Sequence, residues 1–204
     1  DNGLVLPPNL APIQVVIVPI YKGEEQLEEI SKVANKLADD LKEAGISVKY
    51  DDRDTQKPGW KFAQYELQGV PVRLAIGPKD LEKGSVELAR RDTLTKEFVN
   101  QTEVVEKVKH LMVEMQDTLF EKAFNFRNEH ITEVDSFDEF KKVLKEKGGF
   151  VSAHWDGTAE TENKIKGLTK ATIRCIPFNS EKESGSCVLT GKPSEQRVLF
   201  AKSY

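Results

Sequence analysis

Cysteine is scarce in this chain, and so are tryptophan and methionine: two of each in 204 residues. Cys175 and Cys187 are too few for a disulfide framework, which excludes the small stapled secreted scaffolds and points to a reducing, cytoplasmic setting; a single bridge between them stays open. No apolar run approaches the roughly 20 residues of a membrane-spanning helix, so no helical span and no membrane partner is expected. The signatures of several enzyme classes are missing too: there is no phosphate-binding Walker loop, dinucleotide glycine fingerprint, HExxH pair or adenylating core. The three histidines, His110, His130 and His154, are scattered and none accompanies a nucleophile, so no catalytic residue is assigned. Positive charge is in deficit as well. A formal net charge of −4 excludes a surface that attracts polyanions everywhere, so any nucleic-acid site must be local.

What is present is a soluble composition, 38% hydrophobic and 31% charged, with mass enough for two modules. Residues 1–13, with Pro7-Pro8, read as an extended linker from a longer protein. The apolar β-branched run Gln14–Ile20 predicts a strand buried on both faces. Leu27, Ile30, Ala34, Leu37, Leu41 and Ala44 then recur at spacings of three and four, an amphipathic helix that Gly45 stops. Strands follow at Ile46–Tyr50 and Val70–Ile76, separated by a polar loop and a short helix, Trp60–Leu67, that Pro58 opens. Strand, helix, strand in this order implies a right-handed parallel crossover. Ser85–Arg91 and Thr95–Val99 alternate as a hairpin, and an apolar stripe from Thr102 to Asn128 predicts a long helix bridging two modules. Beyond it a second α+β unit is expected: a helix from Phe137 to Lys147, a strand at Gly149–His154, a polar segment to Lys170, and strands near Ala171–Phe178 and Arg197–Ala201. The loop Asn179–Ser186 is rich in Gly, Ser and Glu and expected to be mobile.

In an open α/β sheet, ligands bind beyond the carboxyl ends of the strands, near helix N-termini. Arg53, Lys57, Trp60 and Lys61 cluster in the loop at that position, Glu66 follows on the same short helix, and Gly77-Pro78-Lys79-Asp80 closes the third strand at the same edge. Two readings stand open on the residues alone: a binding crest, or Trp60 and Phe62 as core aromatics among solvated charges.

At these residues the chain resembles a known family. Asp52-Arg53, Lys57-Pro58-Gly59-Trp60-Lys61-Phe62, Glu66-Leu67-x-Gly69-Val70-Pro71-x-Arg73, Ile76-Gly77-Pro78-Lys79-Asp80-Leu81 and Val86 through Asp92 resemble, in order and spacing, the anticodon-binding domain of class II aminoacyl-tRNA synthetases in its prolyl form. Thr172-x-Arg174-Cys175-Ile176-Pro177-Phe178 and Phe200–Tyr204 resemble the C-terminal domain of the archaeal and eukaryote-like prolyl enzymes. The resemblance implies a linker over 1–13, an α/β anticodon-binding domain over 14–112 with a mixed five-stranded sheet flanked by helices, a bridging helix over 113–135, and a small α+β domain over 136–204.

It also implies a function. The partner would be the anticodon stem-loop of tRNA(Pro), with guanine edges met by carboxylates such as Glu66 or Glu87 and by Arg53, Lys61 or Arg90, and with Lys57, Trp60 and Lys79 completing the RNA-binding set. The catalytic domain of the same enzyme, which uses ATP and Mg and is expected to form a homodimer, would lie outside this chain, with Tyr204 tucked against it. Many relatives hold zinc through four cysteines; the matching positions here are Trp155, Glu160, Cys187 and Thr190, which leaves one thiolate and predicts no metal, with packing around Trp155 in its place. Two other readings are an accessory RNA- or protein-binding protein on the same domain, and a small-molecule-binding α/β domain.

Overall fold

The first apolar run forms β1 (Val15–Pro19), buried along its whole length. The helical stripe forms α1 (Glu24–Glu43), and Gly45 ends it at φ +83°, its N–H bonding Lys42 O while Ile46 N–H bonds Leu41 O. That pair of bonds satisfies the helix's orphan carbonyls and buries Ile46 against them. β2 (Val48–Tyr50) and α2 (Pro58–Leu67) follow, and α2 ends in the same way at Gly69, φ +73°, with Val70 N–H on Tyr65 O. β3 (Val72–Ile76) is as buried as β1 and leads into a one-turn helix, α3 (Pro78–Glu82), which the sequence reading treats only as a strand end. The hairpin is present as β4 (Ser85–Arg90) and β5 (Lys96–Asn100), and α4 (Val104–Glu129) is the long helix.

The computed structural model describes residues 2–178 and 182–203, and the chain divides into two units, one ending at Glu121 and one beginning at Lys122. The first unit holds the mixed five-stranded sheet, in the order β2-β1-β3-β4-β5, with β1, β2 and β3 parallel and β4 and β5 antiparallel. Its large core lies on one face, where Val15, Ile17, Leu74, Val86 and Leu88 meet α1 and the Val104, Val108, Leu111 and Met115 stripe of α4. The other face is covered differently. Only Val16 and Val18 of the strands join Tyr65 and Val70, with Phe62, in a small cluster under α2.

In the second unit the sheet order is β6 (Ile131–Glu133), β7 (Phe150–His154), β11 (Arg197–Lys202), β8 (Ala171–Cys175). Helix α5 (Phe137–Glu146) starts at Ser136, whose Oγ accepts from Glu139 N–H, and sends Phe140 edge-on to Phe200 with ring centroids 5.1 Å apart. The segment expected to be merely polar contains α6 (Ala159–Thr169), whose buried stripe is Thr161, Ile165 and Thr169. Two of its three inward residues are threonines, which is why no apolar periodicity marked it. Of the loop expected to be mobile, Asn179, Ser180 and Glu181 lie outside the described residues; Gly185-Ser186 forms β9 and pairs with β10 (Pro193–Ser194). Gly185 is required there, because a Cβ would stand 2.2 Å from His154 Nε2.

Candidate nucleic-acid interface

Strand register sets the interface. Residues of one sheet face stand in rows across the strands, and one row reads Lys49, Val16, Arg73, Ala89, Lys96 while the next reads Val18, Ala75, Glu87, Phe98. Helix α2 covers the β1 end of these rows and joins no apolar cluster with the β4 and β5 end. Beyond α2 this half-face carries charges and small alanines, with Arg73 and Ala75 buried, Glu87 and Ala89 half-buried, and Lys96 and the ring of Phe98, 69% accessible, exposed.

Two concavities occupy this half-face. The first, of about 240 Å³, is walled by Phe62, Tyr65, Glu66, Arg73, Leu94 and Lys96. Arg73 rises into it from the middle of a buried strand, 5% exposed, with its guanidinium carbon 3.7 Å from the centre of the Phe62 ring. Its Nη1 lies 3.1 Å from Glu87 Oε1, yet outside hydrogen-bond geometry, so that neither Nε nor Nη1 has a hydrogen-bond partner. Buried polar groups are nearly always bonded; here both atoms are enclosed as well as unbonded, and Arg73 contributes a positive charge to the lining of the concavity. The second concavity, about 460 Å³, opens beyond the carboxyl ends of β1 and β3 between Tyr21, Lys22, Lys79, Asp80, Glu87 and Phe98.

Beside them, the loop after β2 is organised around Asp51. Its carboxylate, 1% exposed, accepts from Arg53 Nε at 2.8 Å, Arg53 Nη2 at 2.7 Å and Tyr65 Oη at 3.0 Å, while Lys61 Nζ stands 3.7 Å away and donates to the Asp51 carbonyl at 2.9 Å. Burial alone would raise the Asp51 pKa; the bonds from Arg53 and Tyr65 and the Lys61 charge outweigh it and hold the carboxyl well below its usual range. Tyr65 is pushed the other way, up to about 12, by burial and by its bond to the carboxylate. This hub fixes Arg53, which also bonds Gln64 Oε1 at 2.9 Å and lies 5.7 Å from the ring of Trp60, itself 48% exposed.

The residues expected to bind RNA thus fall into three groups. Arg53, Lys57 and Trp60 lie exposed on the crest, Glu66 borders the first concavity, and Lys79 and Glu87 border the second. Lys61 is a correction: at 1% exposure its ammonium is enclosed and bonded to Asp51, so it supports the loop and meets no base. Arg90 lines the first concavity, but its guanidinium is bonded to both carboxylate oxygens of Asp92 and to Glu114 at 2.6 Å, which ties the hairpin to α4. Those bonds, Asp92 first, raise its pKa further above the arginine range. Tyr204 lies outside the described residues. Nothing in the sequence alone points to a role for Arg73, Leu94, Lys96 or Phe98 or decides between core and site for Phe62; the available signal is a single charge inside the apolar strand Val72–Ile76.

In the second unit, the segments that carry Trp155, Glu160, Cys187 and Thr190 are joined by hydrogen bonds. Asp156 Oδ2 accepts from Thr161 Oγ1 at 2.8 Å and from Thr190 Oγ1 at 2.9 Å, and Oδ1 accepts from Thr158 Oγ1 at 2.8 Å. Burial would raise the Asp156 pKa, and these threonine bonds override it and lower it. Cys187 is a buried free thiol and Cys175 an exposed one, and among the described residues no three His, Cys, Asp or Glu side chains are grouped to hold a metal ion. The donor set does not fit a tetrahedral zinc site. No helix among the described residues is long and apolar enough to cross a membrane.

A mixed sheet with its carboxyl edge and one half-face left open, followed by a separate α+β unit, defines the class: residues 14–111 match the anticodon binding domain family, and residues 137–204 match the prolyl-tRNA synthetase C-terminal family. Proline--tRNA ligases of Christiangramia forsetii and Flavobacterium johnsoniae are 78% and 64% identical over this whole chain. The chain spans 42% of the length of each of these relatives. A crystal structure of prolyl-tRNA synthetase from Cryptosporidium parvum, complexed with L-proline and AMP, superposes on all of this chain with a TM-score of 0.91 at 37% identity, over 44% of its own length. The chain belongs to the prolyl-tRNA synthetase family and carries its anticodon-binding and C-terminal domains.

Proposed function

We propose that this chain selects tRNA(Pro) for a proline–tRNA ligase by reading unstacked anticodon guanines on the open half-face. The observation that carries the reading is Arg73, a guanidinium on the Phe62 ring inside the sheet that lines a cavity together with Glu66. Guanine complements that wall: its O6 and N7 accept from a guanidinium, while its N1 and N2 donors suit the carboxylate of Glu66. A second guanine suits the concavity where Lys79 offers donors, Glu87 an acceptor, and Phe98 an exposed ring for stacking. Arg53, Lys57 and Trp60 on the crest supply backbone contact and a further stacking surface.

Activation of proline with ATP and Mg, and its transfer to tRNA, are assigned to a catalytic domain outside this chain, in a cytoplasmic homodimer whose active site receives Tyr204. The archaeal and eukaryote-like kinship finds no support in sequence, since the most similar relatives named above are bacterial, while the Cryptosporidium enzyme shares the fold over 44% of its own length. The second unit is proposed to work without zinc, the Asp156 network joining the segments that a metal would join.

The test is a binding titration at fixed salt with an RNA hairpin carrying a proline anticodon and with one whose guanines are replaced by adenines. Two good bidentate base contacts at about 1–3 kcal/mol each predict at least a tenfold preference for the first. Equal affinities would remove base reading from this chain.

A further inference from the structure

We propose that Leu94 is a base-contacting residue of the interface, held by backbone strain at the mouth of the Arg73 cavity so that its side chain packs on the ring of a bound RNA base. The inference rests on the anticodon reading above. Leu94 occupies the turn between β4 and β5, which is closed by a bond from Arg90 N–H to Thr95 O of 3.0 Å and by the hydroxyls of Thr93 and Thr95, 2.7 Å apart. Its φ is +60°, in the left-handed region. There a side chain's Cβ crowds the backbone, and glycine or asparagine is what such a turn selects on folding grounds. Packing does not compensate, because Leu94 is 67% exposed.

Backbone strain in a residue that neither stabilises the turn nor fills the core is the pattern expected where a side chain is kept for a ligand. Two further observations fit this. Leu94 lines the same concavity as Phe62, Glu66 and Arg73, and it is the apolar side chain on that wall most open to solvent. Arg73, nineteen parts in twenty buried, lines the same cavity and brings a positive charge to it. Arginine and glutamate recognise a base by its edge, which leaves the two ring faces to apolar groups; Phe62 already carries the Arg73 guanidinium on its ring, and Leu94 is available at the opening.

The test sets stability against affinity. Leu94→Gly and Leu94→Asn relieve the turn and remove the apolar contact, whereas Leu94→Met keeps both the contact and the strain. In the 204-residue chain the first two variants are expected to melt a few degrees higher than the parent while binding the proline-anticodon hairpin roughly five- to tenfold more weakly. Leu94→Met is expected to bind within about twofold of the parent and to melt with it. Arg73→Ala, measured alongside, separates the two levels of the reading. Loss of binding in Arg73→Ala with unchanged binding in Leu94→Gly overturns the role of Leu94 alone. Unchanged binding in both overturns the cavity as an RNA site, and Leu94 with it. Weaker binding in Leu94→Gly accompanied by a lower melting temperature makes Leu94 a structural residue and overturns the proposal.

Discussion

The guanidinium carbon of Arg73 in β3 stands 3.7 Å from the centre of the Phe62 ring of α2 and its Nη1 3.1 Å from Glu87 Oε1, so a charge at the centre of the sheet is held between a ring and a carboxylate, with no hydrogen bond at Nε or Nη1. This arrangement serves a ligand better than it serves the fold. Desolvating a guanidinium costs stability unless its donors are bonded, and here two are not.

Arg73→Met is accordingly expected to leave stability unchanged within about 1 kcal/mol, since it removes a buried cation with two unbonded donors while its ion-pair partner Glu87 is partly exposed and keeps Lys96 at 3.8 Å. Binding to the proline-anticodon hairpin should fall by at least roughly tenfold. Denaturant unfolding and fluorescence anisotropy on the same preparation measure both.

Lys61 and Asp51 give the opposite pattern. Lys61→Ala leaves the 1%-exposed Asp51 without one of its cations and is expected to lower the stability of the first unit by about 3 kcal/mol. Once folded, the variant should keep the ratio of affinities for guanine-bearing and substituted hairpins. A selective loss of the guanine-bearing hairpin would return Lys61 to the interface.

The Asp51 carboxyl also sets a pH dependence. Its folded-state pKa is depressed, so its contribution is fully present above the pKa of an unfolded aspartate, about 3.9, and fades as pH falls from there toward the folded value. The stability difference between the parent and Asp51→Asn, measured by urea unfolding, should therefore be constant from pH 7 to about pH 5 and shrink below about pH 4. A difference that changes only near neutrality would assign the effect to another group.

In the second unit the threonine network around Asp156 bridges the segments of residues 156–161 and 190. Asp156→Ala is expected to cost that unit about 2 kcal/mol, and prior treatment with a metal chelator to leave the parent's melting unchanged. Stoichiometric zinc by elemental analysis, or a chelator-sensitive transition, would contradict this.

Much of the fold was legible because long apolar periodicities and glycine stops agree with burial: β1 and β3 fall within one or two residues of their expected ends, and α1 ends where Gly45 stops it but begins three residues before Leu27. Helix α6 was not legible, because threonines Thr161 and Thr169 face inward beside Ile165 and erase the apolar stripe. At the site, clustering in sequence identified the crest at Arg53, Lys57 and Trp60 but could not separate exposed Trp60 from buried Lys61, neighbours that helix geometry turns about 100° apart. The half-face itself is assembled across strands far apart in sequence: Arg73, Ala89 and Lys96 become neighbours only through register. A lone arginine in Val72–Ile76 was the trace of it, and its meaning depends on which face of the sheet it takes and on Phe62 of α2 packing against it.

The most direct test of the half-face is the side-chain N–H resonance of Arg73 Nε, followed by nitrogen-15 NMR while the RNA hairpin is added. With guanines in the anticodon the resonance should shift, and with adenines in their place it should stay where it is in the free protein. An Arg73 signal that does not respond to a guanine-bearing hairpin bound at saturation would contradict the assignment of this face to anticodon reading.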